Sequence, residues 1–243
     1  LGAAGDIVDD GQVIGAGGKG HADGAAELAQ FDEPQGATVL PEDVAAKVGY
    51  DVLVADTVNH RLRGVNLSTG QVTTVAGNGV QRLLDAENAR TAGEWKRELG
   101  EDPLNTSLSS PWDVLYSEKA GRAFVAMAGT HQIFGFDPVS GAVTLEAGSG
   151  IEGLLDGTAA ESMFAQTSGL AVDGAGDIWL ADSETSSLRV LRLAEDGTVA
   201  AVETATGEGL YDFGFRDGDA AQARLQHPLG TAVLPDGSLA IAD

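Results

Sequence analysis

The sequence has no cysteine and no long apolar run, and each lack excludes a class of protein. Without cysteine, these 243 residues hold no disulfide, no thiolate zinc site and no thiol nucleophile. No segment approaches the ~20 consecutive apolar residues that a membrane-spanning helix needs. We therefore expect no membrane partner, and we expect any catalysis to depend on groups other than thiols.

Basic residues are also scarce, because 37 acidic side chains face only 14 lysines and arginines, for a formal net charge of −23. Such a balance repels nucleic-acid phosphate and anionic lipid, so no nucleic-acid partner is expected. A well-solvated surface explains the charge, and an acidic docking patch is the alternative. The 43% hydrophobic residues and 34 glycines are typical of a turn-rich globular protein.

A ten-residue stretch at 54–63 recurs in weaker form along the chain. Related segments occupy 125–133 and 180–189, and a shortened copy occupies 241–243. A second motif begins with Asp-Gly at Asp23, Asp156 and Asp217 and runs on to an apolar residue, with closely matched spacing in the three copies. Repetition of two motifs in a constant order indicates a repeat protein.

Short apolar runs separated by turn residues lie between these motifs, so each unit is predicted to be four antiparallel strands. Such units at regular intervals predict an all-β β-propeller. The predicted divisions are the end of a preceding blade, three blades and the start of a truncated blade, at 1–16, 17–79, 80–150, 151–207 and 208–243. The second blade carries a predicted helical insertion at 81–101 that includes Trp95.

The order of strands in a meander places the loops. The loop between the second and third strands emerges at the same end as the connection to the next blade. The 56–60 loop, its copies, the Asp-Gly linkers and the 81–101 insertion are therefore predicted to share one face. Binding through loops would use this face.

At these motifs the chain resembles the NHL-repeat propellers, since Asn59-His60-Arg61-Leu62 is similar to the triplet that names them. The ordered series 110–114, 127–133, 181–184 and 225–230 resembles the NHL repeat-containing protein 2 family. That resemblance implies a six-bladed ring preceded by a thioredoxin-like domain. The chain is thus interpreted as a propeller segment of about three complete blades, with the thioredoxin-like domain lying outside it.

The glycine-rich run at 15–20 satisfies the pattern GxGxxG, which suggests a nucleotide site. Its context is wrong, because no helix-forming stretch follows and no Ser or Thr follows Lys19. Equivalent glycines recur at Gly77 and Gly148 in the other units. A glycine turn that ends each blade is the favoured interpretation.

The repeated polar residues allow two interpretations. His60 and His131 could ligate zinc at the mouth of the propeller, as in lyases of this fold, and axial carboxylates could bind calcium, as in lactonase-like hydrolases. The alternative is structural: each imidazole bonds to neighbouring backbone, and Asp56 and Asp182 accept backbone N–H bonds. Arginines downstream would pair with these carboxylates or with a linker aspartate. Since the third copy has Ser186 in place of histidine, the structural interpretation is favoured.

The functional prediction is a non-catalytic platform that binds a protein partner or docks the adjacent thioredoxin-like domain, in the cytoplasm, without a cofactor. The alternative is a metal-dependent lyase or lactonase-like hydrolase with zinc or calcium at the axial mouth. The candidate binding-face residues are Asp56, His60, Arg63, Trp95, Met127, Thr130, His131, Asp182 and His227.

Overall fold

The computed structural model of the chain describes residues 7–9, 12–84, 98–100 and 102–243, and these residues form a series of antiparallel sheets. The strands of the first blade are β3 Pro34–Val39, β4 Val52–Asp56, β5 Arg61–Asn66 and β6 Gln71–Ala76. The strands of the second blade are β7 Glu98–Gly100, β8 Pro111–Ser117, β9 Arg122–Met127, β10 Gln132–Phe136 and β11 Val143–Ala147. The strands of the third blade are β12 Thr167–Val172, β13 Ile178–Asp182, β14 Ser187–Leu193 and β15 Val199–Thr206.

Two smaller sheets flank the three blades. A hairpin of β1 Ile7–Asp9 and β2 Gln12–Ile14 precedes them, and β16 Gly230–Val233 pairs with β17 Leu239–Ala242 after them. The first strand of each blade contacts the first strand of the next, in the order β3, β8, β12 and β16. This arrangement of inner strands confirms the predicted β-propeller class.

Apolar side chains fill the spaces between adjacent blades. Leu53 and Leu62 of the first blade join Val125 and Phe134 of the second in one cluster. A second cluster joins the second blade to the third, with Ile133 among its members. The second blade therefore buries both of its faces, which explains why its central strands consist largely of apolar residues.

Helix is rare in the described part of the chain. The helix α1 Glu42–Val48 lies between β3 and β4 and was not predicted. Its first turn is acidic, its last turn contains Lys47, and Gly49 ends it with a φ of 83°, all of which stabilise a short helix. None of the helices in the described ranges is long and apolar enough to cross a bilayer.

The predicted helical insertion at 81–101 needs a correction at its end. Residues 98–100 form the strand β7, which pairs antiparallel with the edge of β11 and extends the second blade to five strands. Backbone pairing at this open edge outweighs the weak helical pattern of the sequence. Residues 85–97, which include Trp95, lie outside the described residues.

Candidate functional site: the loop face

The loops between second and third strands meet the blade linkers at one end of the molecule, as predicted. Asn59 Nδ2 donates to the carbonyl oxygen of Gly20 at 2.5 Å, and the Val58 N–H donates to the carbonyl oxygen of Asp32 at 3.1 Å. We call this end the loop face, and define it by the loops 56–60, 127–131 and 182–186 and the linkers 15–33, 77–84, 148–166 and 207–229.

Each of the three loops ends on a residue with a left-handed backbone: φ is 53° at His60, 53° at His131 and 50° at Ser186. Positive φ is uncommon outside glycine, so a specific contact is needed to hold it. The equivalent position in each blade therefore requires a side chain that can form a hydrogen bond to a residue outside the turn.

The side chains at these positions bond to the next blade. His60 Nδ1 accepts from the Ser110 N–H at 3.0 Å, and His131 Nδ1 accepts from the Gln166 N–H at 3.1 Å. Ser186 Oγ accepts from the His227 N–H at 3.3 Å. The same contact made by two histidines and a serine confirms the structural interpretation, in which the imidazoles hold neighbouring backbone.

The protonation of the two imidazoles follows from these contacts. A neutral ring that accepts at Nδ1 carries its proton on Nε2, so neither nitrogen offers a free lone pair. Burial lowers the pKa of His60, with a further lowering by Arg61, and burial also lowers the pKa of His131. The rings are therefore neutral hydrogen-bond acceptors at pH 7.

Arg63 is the centre of a second repeated contact set, and its side chain is 0% exposed. Its guanidinium lies over the ring of Phe31, with Cζ 5.0 Å from the centroid. It donates to Asp56 Oδ2 at 2.7 Å, Asp23 Oδ1 at 2.7 Å, the Gln30 carbonyl at 2.8 Å and the Ala22 carbonyl at 2.9 Å. We call the set of arginine, two aspartates and linker carbonyls the ionic staple.

The third blade repeats the ionic staple around Arg189, which lies over the ring of Phe164 at 5.0 Å. Its donors reach Asp182 Oδ2 at 3.2 Å, Asp156 Oδ1 at 3.0 Å, the Met163 carbonyl at 2.9 Å and the Leu155 carbonyl at 3.0 Å. Burial raises the pKa of Asp182 to about 7, against the lowering effect of Arg189. Both staples confirm the predicted pairing of each loop aspartate with a downstream arginine.

The second blade replaces the ionic staple with apolar side chains. Met127 stands at the position of Asp56, and both Met127 and Phe134 are buried in the cluster between the first and second blades. Leu108 and Leu145 belong to the same cluster. Leu108 takes the place of the rings of Phe31 and Phe164 in the other blades. Leu145 takes the place of Thr74 and Thr204, which pair across the sheet with Arg63 and Arg189. In this blade, apolar packing therefore takes the place of the ionic staple, beside the hydrogen bond of His131 to the next blade.

The glycine-rich run at 15–20 is one of a repeated series of turns. The backbone φ is positive at the equivalent glycines that end the blades, Gly15, Gly77, Gly148 and Gly207. A Cβ at Gly77 would lie 2.8 Å from Arg61 Cα, which leaves no room for a larger residue. The predicted glycine turn is confirmed by this geometry.

Burial divides the candidate residues into two groups. The side chains with 0% exposure are those of Asp56, Arg63, Met127, Thr130 and Asp182. His60 and His131 are half-buried, and His227 is exposed, with Nε2 3.7 Å from Glu184 Oε2. Trp95 lies outside the described residues. The buried residues hold the loops, and the exposed side chains lie at the loop tips.

Exposed aliphatic side chains mark those tips. On the loop face, Val58 is 45% exposed, Val80 63%, Leu83 68% and Ile151 49%. The start of the insertion crosses this face, since a Cβ at Gly150 would meet Leu84 Cδ1. Val58 lies within the repeated 54–63 stretch, but the other units have no valine at its position, whereas Val80, Leu83 and Ile151 lie in the linkers.

Asp113 on the inner strand β8 is a further polar residue that was not selected from the sequence. Its Oδ2 accepts from the Leu170 N–H at 2.8 Å, and its Oδ1 accepts from the Val114 N–H at 2.8 Å, which ties β8 to β12. Burial raises the pKa of Asp113 to about 6. Within the described ranges, no group of three or more His, Cys, Asp or Glu side chains is arranged to hold a metal ion.

Comparisons with solved structures agree with the fold. An auxiliary nutrient binding protein from Bacteroides ovatus superimposes with a TM-score of 0.60 at 16% identity, over 88% of this chain and 46% of that one. A protein of the same description from Bacteroides thetaiotaomicron gives 0.59 at 15% identity, over 89% and 46%. At these identities the likeness concerns the fold alone, and the class it defines is the β-propeller.

Sequence relatives identify the family within that class, although no family model matches the chain. SUPPRESSOR OF QUENCHING 1, chloroplastic, from Arabidopsis thaliana is 34% identical over 96% of this chain. NHL repeat-containing protein 2 from Homo sapiens is 32% identical over 89% of it. The chain belongs to the NHL-repeat β-propellers and is related to NHL repeat-containing protein 2. It spans 21% and 30% of the lengths of these two relatives.

Proposed function

We propose that this propeller segment is a non-catalytic platform that binds a protein partner through its loop face. The observation that carries the proposal is that buried polar residues and exposed apolar residues have different roles on that face. The repeated polar side chains are engaged with their own backbone and linkers, while exposed aliphatic side chains stand at the tips. Apolar tips on a fixed frame suit recognition of another protein surface.

Rigidity supports this role. Each loop is bonded to the next blade, and a staple within the blade also holds the loops of the first and third blades. A binding surface that is already ordered loses little conformational entropy when a partner docks, so more of the contact energy appears as affinity. The half-exposed tips Val58 and Ile151 belong to different blades, which gives a partner separated anchor points on one face.

The partner that we propose is a thioredoxin-like domain beside the propeller. The chain spans 30% of the length of NHL repeat-containing protein 2, which leaves ample length for other domains in that relative. The segment contains no cysteine, so any thiol chemistry would belong to the neighbour. The cytoplasm stays the predicted compartment, while the name of the Arabidopsis relative places that protein in the chloroplast.

The double substitution Val58→Glu and Ile151→Glu tests the proposal. Two charges placed on apolar tips should weaken binding to a separately expressed thioredoxin-like domain from NHL repeat-containing protein 2 by about tenfold or more, as measured by biolayer interferometry. The matched control is Val139→Glu, which changes a 57% exposed valine in the β10–β11 turn at the opposite end. Equal affinity for the double variant and the control would refute a loop-face site.

A further inference from the structure

The hydrogen bonds that join one blade to the next on the loop face connect pairs of residues with left-handed backbones. His60 has a φ of 53°, and Ser110, whose N–H donates to it, has a φ of 46°. His131 has a φ of 53°, and Gln166, whose N–H donates to it, has a φ of 57°. Such conformations persist only where the surrounding structure holds them, so each bond fixes two strained residues at once.

The acceptor in these two bonds is an imidazole nitrogen, which can accept only while the ring is neutral. A proton on Nδ1 turns that atom into a donor that faces a backbone N–H, so protonation breaks the bond. The third such bond joins Ser186, with a φ of 50°, to His227, with a φ of 54°, and its acceptor is a hydroxyl oxygen. The three junctions are therefore alike in geometry, and only the first two depend on a group that titrates near neutral pH.

We propose that His60 and His131 form an acid-sensitive latch, which holds the loops of the first two blades at neutral pH and releases them when the rings are protonated. On release, the left-handed turns on both sides of each bond lose their support, and the loop tips become free to move. The junction at Ser186 does not respond, so the change is confined to the first two junctions. The latch concerns the order of the loop face itself and is independent of the proposed function.

Burial and nearby charges set the pH at which the latch opens. Burial lowers the pKa of both rings below the usual 6.5; Arg61 opposes a proton on His60, whereas Glu152 and Glu184 favour one on His131. The folded protein thus binds these protons less readily than the unfolded chain does. The stabilisation from the two bonds is therefore complete above pH 6.5 and is lost as the pH falls below that value.

Two buried carboxylates respond to acid in the opposite direction. Burial raises the pKa of Asp113 to about 6 and that of Asp182 to about 7. Both take up a proton as the pH falls, which removes the cost of burying their charge, so their contribution to the free energy of unfolding grows in acid. Overall stability combines the two effects, and the latch must be measured at its own amides.

Amide hydrogen exchange, followed for single residues by NMR, tests the latch. Between about pH 7.5 and about pH 4.5, the protection factors of the Ser110 and Gln166 amides should fall by about tenfold or more, because a difference of one pKa unit between the closed and the released ring corresponds to a factor of ten. The His227 amide, which donates to Ser186, is the internal control and should keep its protection.

The double variant His60→Asn with His131→Asn supplies acceptors that do not titrate. Asparagine adopts a left-handed backbone more readily than most residues, and its Oδ1 accepts a hydrogen bond in place of Nδ1. In this variant the protection of the Ser110 and Gln166 amides should no longer depend on pH. The three amides of the unchanged protein decide the question even if the variant does not fold. Protection at Ser110 and Gln166 that persists in acid, an equal fall at His227, or a fall of the same size in the asparagine variant would each overturn the inference.

Discussion

Replacing Arg63 with alanine is expected to lower the free energy of unfolding by about 3–5 kcal/mol. The change leaves the carboxylate of Asp56, which is 0% exposed, without its cation, and removes the donors to two linker carbonyls. Since domains of this kind are stable by only about 5–15 kcal/mol, the loss is a large share of the total. Urea unfolding followed by tryptophan fluorescence measures it.

The control for this prediction is Arg192→Ala. Arg192 also bonds two carboxylates, those of Asp177 and Glu203, but its side chain is 41% exposed. Solvent screens such pairs, so the expected loss is about 1 kcal/mol or less. A loss of similar size for both variants would show that burial of the ionic staple does not set its strength.

The second blade suggests a double substitution that should avoid the loss of stability caused by Arg63→Ala. Asp56→Met combined with Arg63→Phe copies the pair Met127 and Phe134, which occupies the same positions without charge. Because a buried ion pair can be replaced by well-packed apolar groups at little cost, the double variant should be more stable than Arg63→Ala. A double variant as unstable as the single one would mean that the blades are not interchangeable at this point.

Gly169→Ala is expected to destabilise the contact between β12 and β16 by about 1–3 kcal/mol. A Cβ at this position would lie 2.6 Å from Gly230 Cα and 2.7 Å from the carbonyl oxygen of Leu229, which are backbone atoms at the start of the next inner strand and just before it. Because the two backbones lie this close, the Gly169 N–H donates a hydrogen bond to the same oxygen at 2.8 Å. Hydrogen exchange on β16 would report the separation, and chemical unfolding its free energy.

Gly174→Ala is the matched control, because a Cβ there meets nothing within 4 Å and the backbone φ is ordinary. A small stabilisation is expected from the reduced freedom of the unfolded chain. If Gly169→Ala behaved like Gly174→Ala, the inner strands would not be as closely packed as the structure describes.

The fold could be predicted from the sequence because the motifs repeat. The recurring alanines Ala55, Ala126, Ala181 and Ala242 indicated where each second strand ends, and the Asp-Gly linkers indicated the order of the blades. The position of the loops and linkers at one end could be predicted from the order of the strands alone. The pairing of Arg63 with Asp56 could also be predicted, since two blades carry both residues at the same spacing.

Burial could not be predicted in the same way. A polar residue that recurs at a loop suggests a surface group, yet Arg63 and Thr130 are inside, because the linker folds over the loop and covers it. The helix α1 was missed since its seven residues are too short for a clear period. The strand β7 depends on an edge of β11 that is distant in sequence, so no local pattern could reveal it.

The central claim is that the repeated polar residues hold the loops and do not bind a ligand. The side-chain nitrogen NMR signals of His60 and His131, followed through a pH titration, test it most directly. The account predicts that both rings are neutral at pH 7 with the proton on Nε2, and that both pKa values lie below the usual 6.5. A proton on Nδ1 at pH 7, or pKa values at or above 6.5, would contradict it.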